Sequence, residues 1–498
     1  MLGKLNKKYL IFSLAILIPL IPVLKDVLSG FIPFWYDIAR DLLLAQGNLH
    51  KLTLIGPPSG IPGIFYGPYW IWALSFALLI SKDPRIVDLI VGVIPYFIIA
   101  PLIFLRFSRL FGFYRSLILW LLFSLSFAPF YAIRMWNPHP APIIFLALSY
   151  LLVFNDFGKR KPKNIFISFV SGFLLTLIIN FHISFGIGLA VGIGLLFLLD
   201  ILQTIKNKNE TINKLISILI FSFGFALCFA PFVLFELRHG FHQTQTLLNT
   251  FGKFGAVVGI PGLTKQDIII NLFITLGKLL HLPWQTSTLV AAFSLSLIIA
   301  NFKKLADSEK KLLLFLIAVI SGILFIYLSA RNPVWDYHFI GVEIIFVLLL
   351  GLAMKRSKIF TQVLGLWTLI VFAIVFIPFI KNLSHKQDSM SALSTEQKIV
   401  KKVSSDAKSR DYTVFAYSPS IYSYEYSYLF WWMENKDFSY DPGQIPTGGK
   451  LVYLIIPTDK KVVREDFVNF KTPQSKYQTT GSWNFADNIL LLKRELAE

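Results

Sequence analysis

One cysteine in 498 residues, Cys228, excludes a disulfide framework and a Cys-rich metal centre. Charge is scarce as well: 15% of residues are charged against 55% hydrophobic, which is not the composition of a soluble surface. The usual signatures of nucleotide and hydrolase chemistry are missing. There is no Gly-rich phosphate loop ending in Lys, no dinucleotide fingerprint and no Gly-x-Ser-x-Gly elbow, so nucleotide-driven transport and hydrolase chemistry lose support. No fixed-period repeat occurs either.

What the chain has in abundance is apolar runs. Stretches close to the length that crosses about 30 Å of hydrocarbon lie near 9–28, 86–105, 116–133, 139–155, 164–181, 183–203, 213–235, 285–301, 312–330, 337–354 and 358–379, eleven in all. The first follows Lys4, Lys7 and Lys8 and lacks a small-residue cleavage site, so it reads as an uncleaved signal anchor with its N-terminus inside. Alternate connections carry Arg106, Arg109 and Arg115; Lys159 to Lys163; Lys206, Lys208 and Lys214; Lys303, Lys304, Lys310 and Lys311; and Lys355, Arg356 and Lys358. These short basic loops mark the cytoplasmic face. The net charge of +19 divides accordingly: residues from 380 onward hold 16 basic and 14 acidic side chains, and the excess belongs to the apolar region. Topology and contact with membrane lipids account for it, not nucleic acid.

An odd number of spans places the tail outside, with the loops at about 29–85, 134–138, 236–284 and 331–336. All eight histidines then fall on or beside the outer face, although only Lys and Arg were used to assign it. Tyr69 to Ile80 and Ile268 to Leu280 are too short or broken to span and read as helices in the outer interface. The tail, 381–498, changes composition. Tyr412 to Tyr417 and Leu451 to Ile456 look like buried strands, Ser420 to Met433 like a helix between them, and Asn488 to Lys493 like a late strand, which predicts a small α/β domain.

The first outer loop carries Asp37 and Asp41, four apart and so on one face of a helix, with Arg40 beside them. Two carboxylates that close can raise one pKa and suit a carboxylate to accepting a proton; a solvated helix start with an internal Asp–Arg pair is the bland alternative. A rigid Gly/Pro stretch follows, Ile55-Gly56-Pro57-Pro58 to Phe65-Tyr66-Gly67-Pro68. Further along stand Arg134-Met135-Trp136-Asn137-Pro138 and Asn180-Phe181-His182. In this order the four patches resemble the GT-C class of integral-membrane glycosyltransferases, in particular the branch similar to protein O-mannosyltransferases and aminoarabinose transferases. The resemblance covers about residues 1–380. In that group the acidic pair is adjacent, whereas here Ile38 follows Asp37.

The resemblance implies a polytopic all-α membrane protein of about eleven transmembrane helices with external interfacial helices, a catalytic region at 1–380 and a small extracytoplasmic α/β domain at 381–498. It implies transfer of one sugar, with inversion, from a polyprenyl-phosphate donor to a lipid, glycan or protein acceptor at the outer face of the cell membrane. Asp37 is then the general base, with Asp41 its alternative or partner. The departing phosphate needs cations, and lysines are scarce outside, so Arg134, Arg238 with His239, and the pair Arg331 and His338 are the candidates. Arg40, Tyr66, Trp136, Asn137, His182 and Glu236 complete the expected substrate contacts. Glu236, His239 and His242 are spaced by three, which invites a metal, but Gly240 weakens the helix needed to align them; no cofactor is required, and a divalent cation is left open because similar transferases differ in needing one. The alternative is a secondary transporter or flippase for a lipid-linked substrate. That class expects ionisable residues within spans, and Asp200 and Glu343 are the nearest instances.

Overall fold

A computed structural model describes residues 7–60, 63–155, 161–251, 262–329, 334–381, 389, 391–417, 423–436, 449–457, 461–486 and 489–497. The expected apolar stretches are helical over most of their described length, because long Leu-, Ile- and Phe-rich runs with few charged groups leave the backbone little else to bond in hydrocarbon. Among the described residues eight helices are long and apolar enough to cross a membrane: Lys7–Ser29, Pro84–Phe111, Pro162–Phe181, Ile183–Thr204, Lys208–Arg238, Asp307–Ser329, Asp336–Arg356 and Lys358–Lys381. A ninth results if Lys265–Leu280 and Trp284–Ala300, which meet at 91°, form one broken span.

The expected eleven is therefore too many by this measure. Stretches 116–133 and 139–155 fold as Phe113–Ser126 and Ala141–Phe154, 14 residues each, and about 1.5 Å per residue leaves them short of the hydrocarbon thickness. The breaks are local. The first helix stops at Phe127 and resumes as Ala128–Ala132 with Pro129 in its opening turn, and the second begins only after Pro138 and Pro140. Ile268 to Leu280, read as an interfacial helix, lies within Lys265–Leu280, the first arm of the bent pair.

Small residues bring the long helices together. A Cβ at Gly192 or Gly322 would meet the backbone of the facing helix, which joins Ile183–Thr204 to Asp307–Ser329; Gly172 and Gly224 do the same between Pro162–Phe181 and Lys208–Arg238. Close backbone approach supplies the dispersion contact that a shared apolar solvent cannot drive.

The tail forms a four-stranded sheet in the order β1-β2-β4-β3: β1 Thr413–Ala416, β2 Leu451–Ile456, β3 Tyr477–Phe485 and β4 Ile489–Leu496. β1 and β2 are parallel, joined by a crossover that includes helix Tyr424–Glu434; β2 with β4 and β3 with β4 are antiparallel. All six side chains of β2 are buried, as its unbroken apolar run predicts. β3 was not expected from sequence. It is an edge strand with a largely exposed face and a register shift between Thr479 and Gly481, so no apolar alternation marks it.

This sheet does not stand apart from the helices. One apolar core runs from Ile32 and Phe34 in the first loop to Leu393, Ile399 and Leu429 in the tail. Main-chain bonds cross the same junction, from Phe34 N–H to the Ser391 carbonyl at 2.8 Å, Leu393 N–H to Ile32 at 3.0 Å and Ser394 N–H to Gly30 at 2.9 Å.

Candidate active site

Helix Tyr36–Asn48 follows the first long helix directly and buries Ile38, Ala39, Leu42 and Ala45. That stripe turns Asp37, Arg40 and Asp41 toward a common edge. Arg40 Nη1 bonds Asp37 Oδ1 at 2.7 Å, while its Nε and Nη2 reach Asp41 Oδ1 at 2.9 and 2.7 Å. Trp70 Nε1–H donates to the other Asp41 oxygen at 3.0 Å. The two carboxylates are thus unequal. The Asp41 side chain is fully buried, whereas Asp37 is 38% exposed. Burial pushes the Asp41 carboxyl up to about 7, against the pull of Arg40. Of the two, Asp37 is the carboxylate open to solvent.

The Gly/Pro stretch closes on itself. Gly56 N–H donates to the Tyr66 carbonyl at 2.7 Å and Tyr66 N–H to Pro57 at 2.9 Å. A Cβ at Gly67 would land on the Asn180 side chain, so this loop seats only with glycine there. Tyr66 is thereby held against Asn137, whose side chain hydrogen-bonds its phenol; burial raises the Tyr66 pKa, and the charges of Asp37, Arg40 and Asp41 act on it. Asn137 is itself buried and donates to the Phe181 carbonyl at 3.1 Å.

Two further turns complete the wall. Trp136 packs edge-on against Tyr337 at 5.5 Å between ring centroids, and His182 Nε2 lies 3.3 Å from the Tyr337 carbonyl oxygen. His182 and His338 rings are 6.3 Å apart. His338 Nδ1 accepts the Trp335 N–H at 3.1 Å, which places its proton on Nε2. Burial holds His182 neutral, its pKa pushed down to about 3. The sequence-expected Asp37, Arg40, Asp41, Tyr66, Trp136, Asn137, His182 and His338 are therefore linked through neighbouring contacts, with Tyr337 and Trp70 as connecting residues that sequence alone did not single out.

The remaining expectations lie elsewhere. Arg134 stacks on Phe130 at 3.7 Å, its Nε buried without a partner among the described residues. Glu236 is buried, and its carboxylate accepts from Gln243 N–H at 3.1 Å and from the N–H and hydroxyl of Thr244 at 2.8 and 2.6 Å, which caps helix His242–Phe251. Arg238 and His239 are exposed, and His239 stacks on Phe235 of its own helix at 4.0 Å. Gln243 accepts the Phe65 N–H at 2.7 Å, so this cap buttresses the Gly/Pro loop. Arg331 lies outside the described residues. No group of three or more His, Cys, Asp or Glu side chains that could hold a metal ion occurs among the described residues; Arg40 bonds both aspartates, and Glu236 is engaged in its cap.

One acid at the site comes from the tail. The Glu425 carboxylate accepts the backbone N–H of Tyr36 at the start of the Asp37 helix, whose own N-cap residue, Trp35, offers no side-chain cap. Burial raises its pKa to about 7, and Asp37 adds repulsion. Tyr36 on Tyr424 at 4.9 Å, Phe34 on Tyr428 at 5.9 Å, and the Tyr428 hydroxyl on the Lys82 carbonyl at 2.8 Å fix the dock.

No protein-family model matches the chain, and none of the curated proteins does. Among solved structures, the chain is similar to the Archaeoglobus fulgidus oligosaccharyltransferase, solved in complex with Zn and sulfate, at 14% identity and a TM-score of 0.46. The match covers 86% of this chain and 58% of that one, so the chain spans little more than half of that enzyme's length. A score of this size carries neither activity nor residues from one protein to the other.

Proposed function

We propose that the protein is a membrane glycosyltransferase of the GT-C kind, which moves one sugar from a polyprenyl-phosphate donor to an acceptor hydroxyl at the outer face of the cell membrane. The acceptor is a lipid, glycan or protein. The observation that carries this reading is the inequality of the two aspartates: an accessible Asp37 tied through Arg40 to a buried, fully bonded Asp41. In the proposed step Asp37 takes the proton of the acceptor hydroxyl as its oxygen bonds the anomeric carbon. The bond from that carbon to the phosphate oxygen breaks on the opposite face, and the lipid phosphate leaves with the electron pair. Arg40 keeps Asp37 oriented. Trp136 and Tyr337 offer flat faces to a sugar ring, and His338 is the described group of the linked set best suited to the departing phosphate.

The test is transfer by purified protein in liposomes, with radiolabelled polyprenyl-phosphate sugars and an envelope extract as acceptor. Asp37→Asn is expected to lower transfer by about 10²- to 10⁴-fold while leaving the protein inserted and folded. An Asp37→Asn protein as active as the wild type removes this carboxylate from the mechanism.

A transporter or flippase reading draws on one observation. Asp88 and Glu343 are fully buried in apolar helices, with both oxygens of Asp88 and one of Glu343 lacking partners among the described residues. Movement of a polyprenyl lipid across the bilayer with no acceptor present would favour it.

A further inference from the structure

The end of the helix bundle that carries the basic clusters has a groove the proposed reaction does not use. It lies between the start of helix Lys7–Ser29 and the last turns of Pro84–Phe111, and encloses about 560 Å³. Lys8, Arg106 and Arg109 stand around it over a floor of Phe12, Leu102 and Leu105. No carboxylate among the described residues lines it. Three other cations at this end are paired with carboxylates: Lys355 and Arg356 share Glu309 at 2.6 Å each, and Lys214 meets Asp200 at 2.6 Å. Arg106 and Arg109, by contrast, have no ion-pair partner among the described residues, and Arg109 reaches the Tyr150 hydroxyl at a long 3.4 Å.

The surroundings specify what fills such a groove. Tyr9, Leu10, Leu14 and Leu102 are exposed beside it, and exposed apolar side chains on membrane helices face acyl chains. Cations at helix ends lie at headgroup depth. A free phosphate would satisfy the cations and leave the floor uncovered, and a zwitterionic lipid would bring a cation of its own toward three others. We infer that this groove binds an anionic phospholipid, its phosphate against Lys8, Arg106 and Arg109 and its chains on Phe12, Leu102 and Leu105. The inference is independent of the proposed reaction.

Native mass spectrometry of the full-length protein in detergent, with equal phosphatidylglycerol and phosphatidylcholine added, reads it directly. The wild type is expected to retain phosphatidylglycerol selectively. The Arg106→Gln/Arg109→Gln variant is expected to retain it roughly tenfold less, whereas Lys303→Gln/Lys304→Gln, which lies outside the groove, changes nothing. Lys8→Gln and Arg106→Gln alone give intermediate losses and serve if the double variant does not fold. Millimolar glycerol 3-phosphate should not displace the lipid. Equal retention of the two lipids by the wild type overturns the inference. Full retention of phosphatidylglycerol by the groove variants does the same, as does its complete displacement by glycerol 3-phosphate.

Discussion

Arg40 divides its charge between a carboxylate in contact with solvent and one with no access to it, and the two should answer substitution differently. Asp41→Ala leaves a guanidinium with a lost buried partner and Trp70 with an unmet indole N–H, and is expected to destabilise the protein by about 3 kcal/mol. Asp37→Ala removes a partly exposed pair and should cost less than about 1 kcal/mol. Thermal unfolding of the two variants in the same detergent separates them: a larger loss from Asp37→Ala would reverse the roles assigned to the pair. The spacing of the two aspartates and the adjacent arginine were legible in the sequence. Their inequality was not, because the indole that covers Asp41 comes from position 70, on another helix. Glu425 was illegible for the same reason. Nothing local distinguishes it from other surface acids, and its place at the Tyr36 N–H exists only once two helices have docked.

Helix Tyr36–Asn48 is held from both sides, by helix Tyr69–Ile80 and by helix Tyr424–Glu434, and each contact has its own test. The Glu425 carboxyl titrates near 7 when folded and near 4.5 when free, so between those values the folded protein binds the extra proton. Its stabilising contribution is complete below about pH 4 and is lost as the pH rises through about 7. Glu425→Gln should therefore match the wild type in melting temperature at pH 4 and exceed it at pH 8; a variant less stable at both would mean that the ionised carboxylate is needed at the helix start. On the Gly/Pro loop, Gly67→Ala is expected to displace Asn180 and lower transfer, and Asn180→Ala in the same protein to restore part of it. Additive losses in that double variant would dissociate the two residues. At this scale the sequence reported helical character reliably, because apolar runs have few other ways to bond their backbone in hydrocarbon. It reported length poorly, since the interruptions at Phe127 to Pro129 and at Pro138 to Pro140 fall inside or beside runs of uniform hydropathy. The polar edge strand β3 carried no such signal at all.

Across the whole molecule, the main-chain bonds between Gly30 to Phe34 and Ser391 to Ser394 constrain how the chain is threaded. Two segments bonded in this way occupy one side of any bilayer, so the chain crosses it an even number of times between them. If the first helix also spans, the expected total is odd, which nine with the bent pair meets, as do eleven with the two 14-residue helices added. Single cysteines at Lys51 and Glu495, in a Cys228→Ser background, should react with a membrane-impermeant maleimide from the same face, and one at Lys304 from the other. Labelling of positions 51 and 495 from opposite faces would break the dock. The Tyr428 hydroxyl and the Lys82 carbonyl that seal this junction are 346 residues apart. During synthesis, then, the loop bearing Asp37 emerges early and waits, its Ile32 and Phe34 uncovered, while every later helix is inserted. The segment that begins at Ser391 closes a loop made much earlier, so a product truncated before it is expected to leave Ile32 and Phe34 uncovered and the start of the Asp37 helix without its dock.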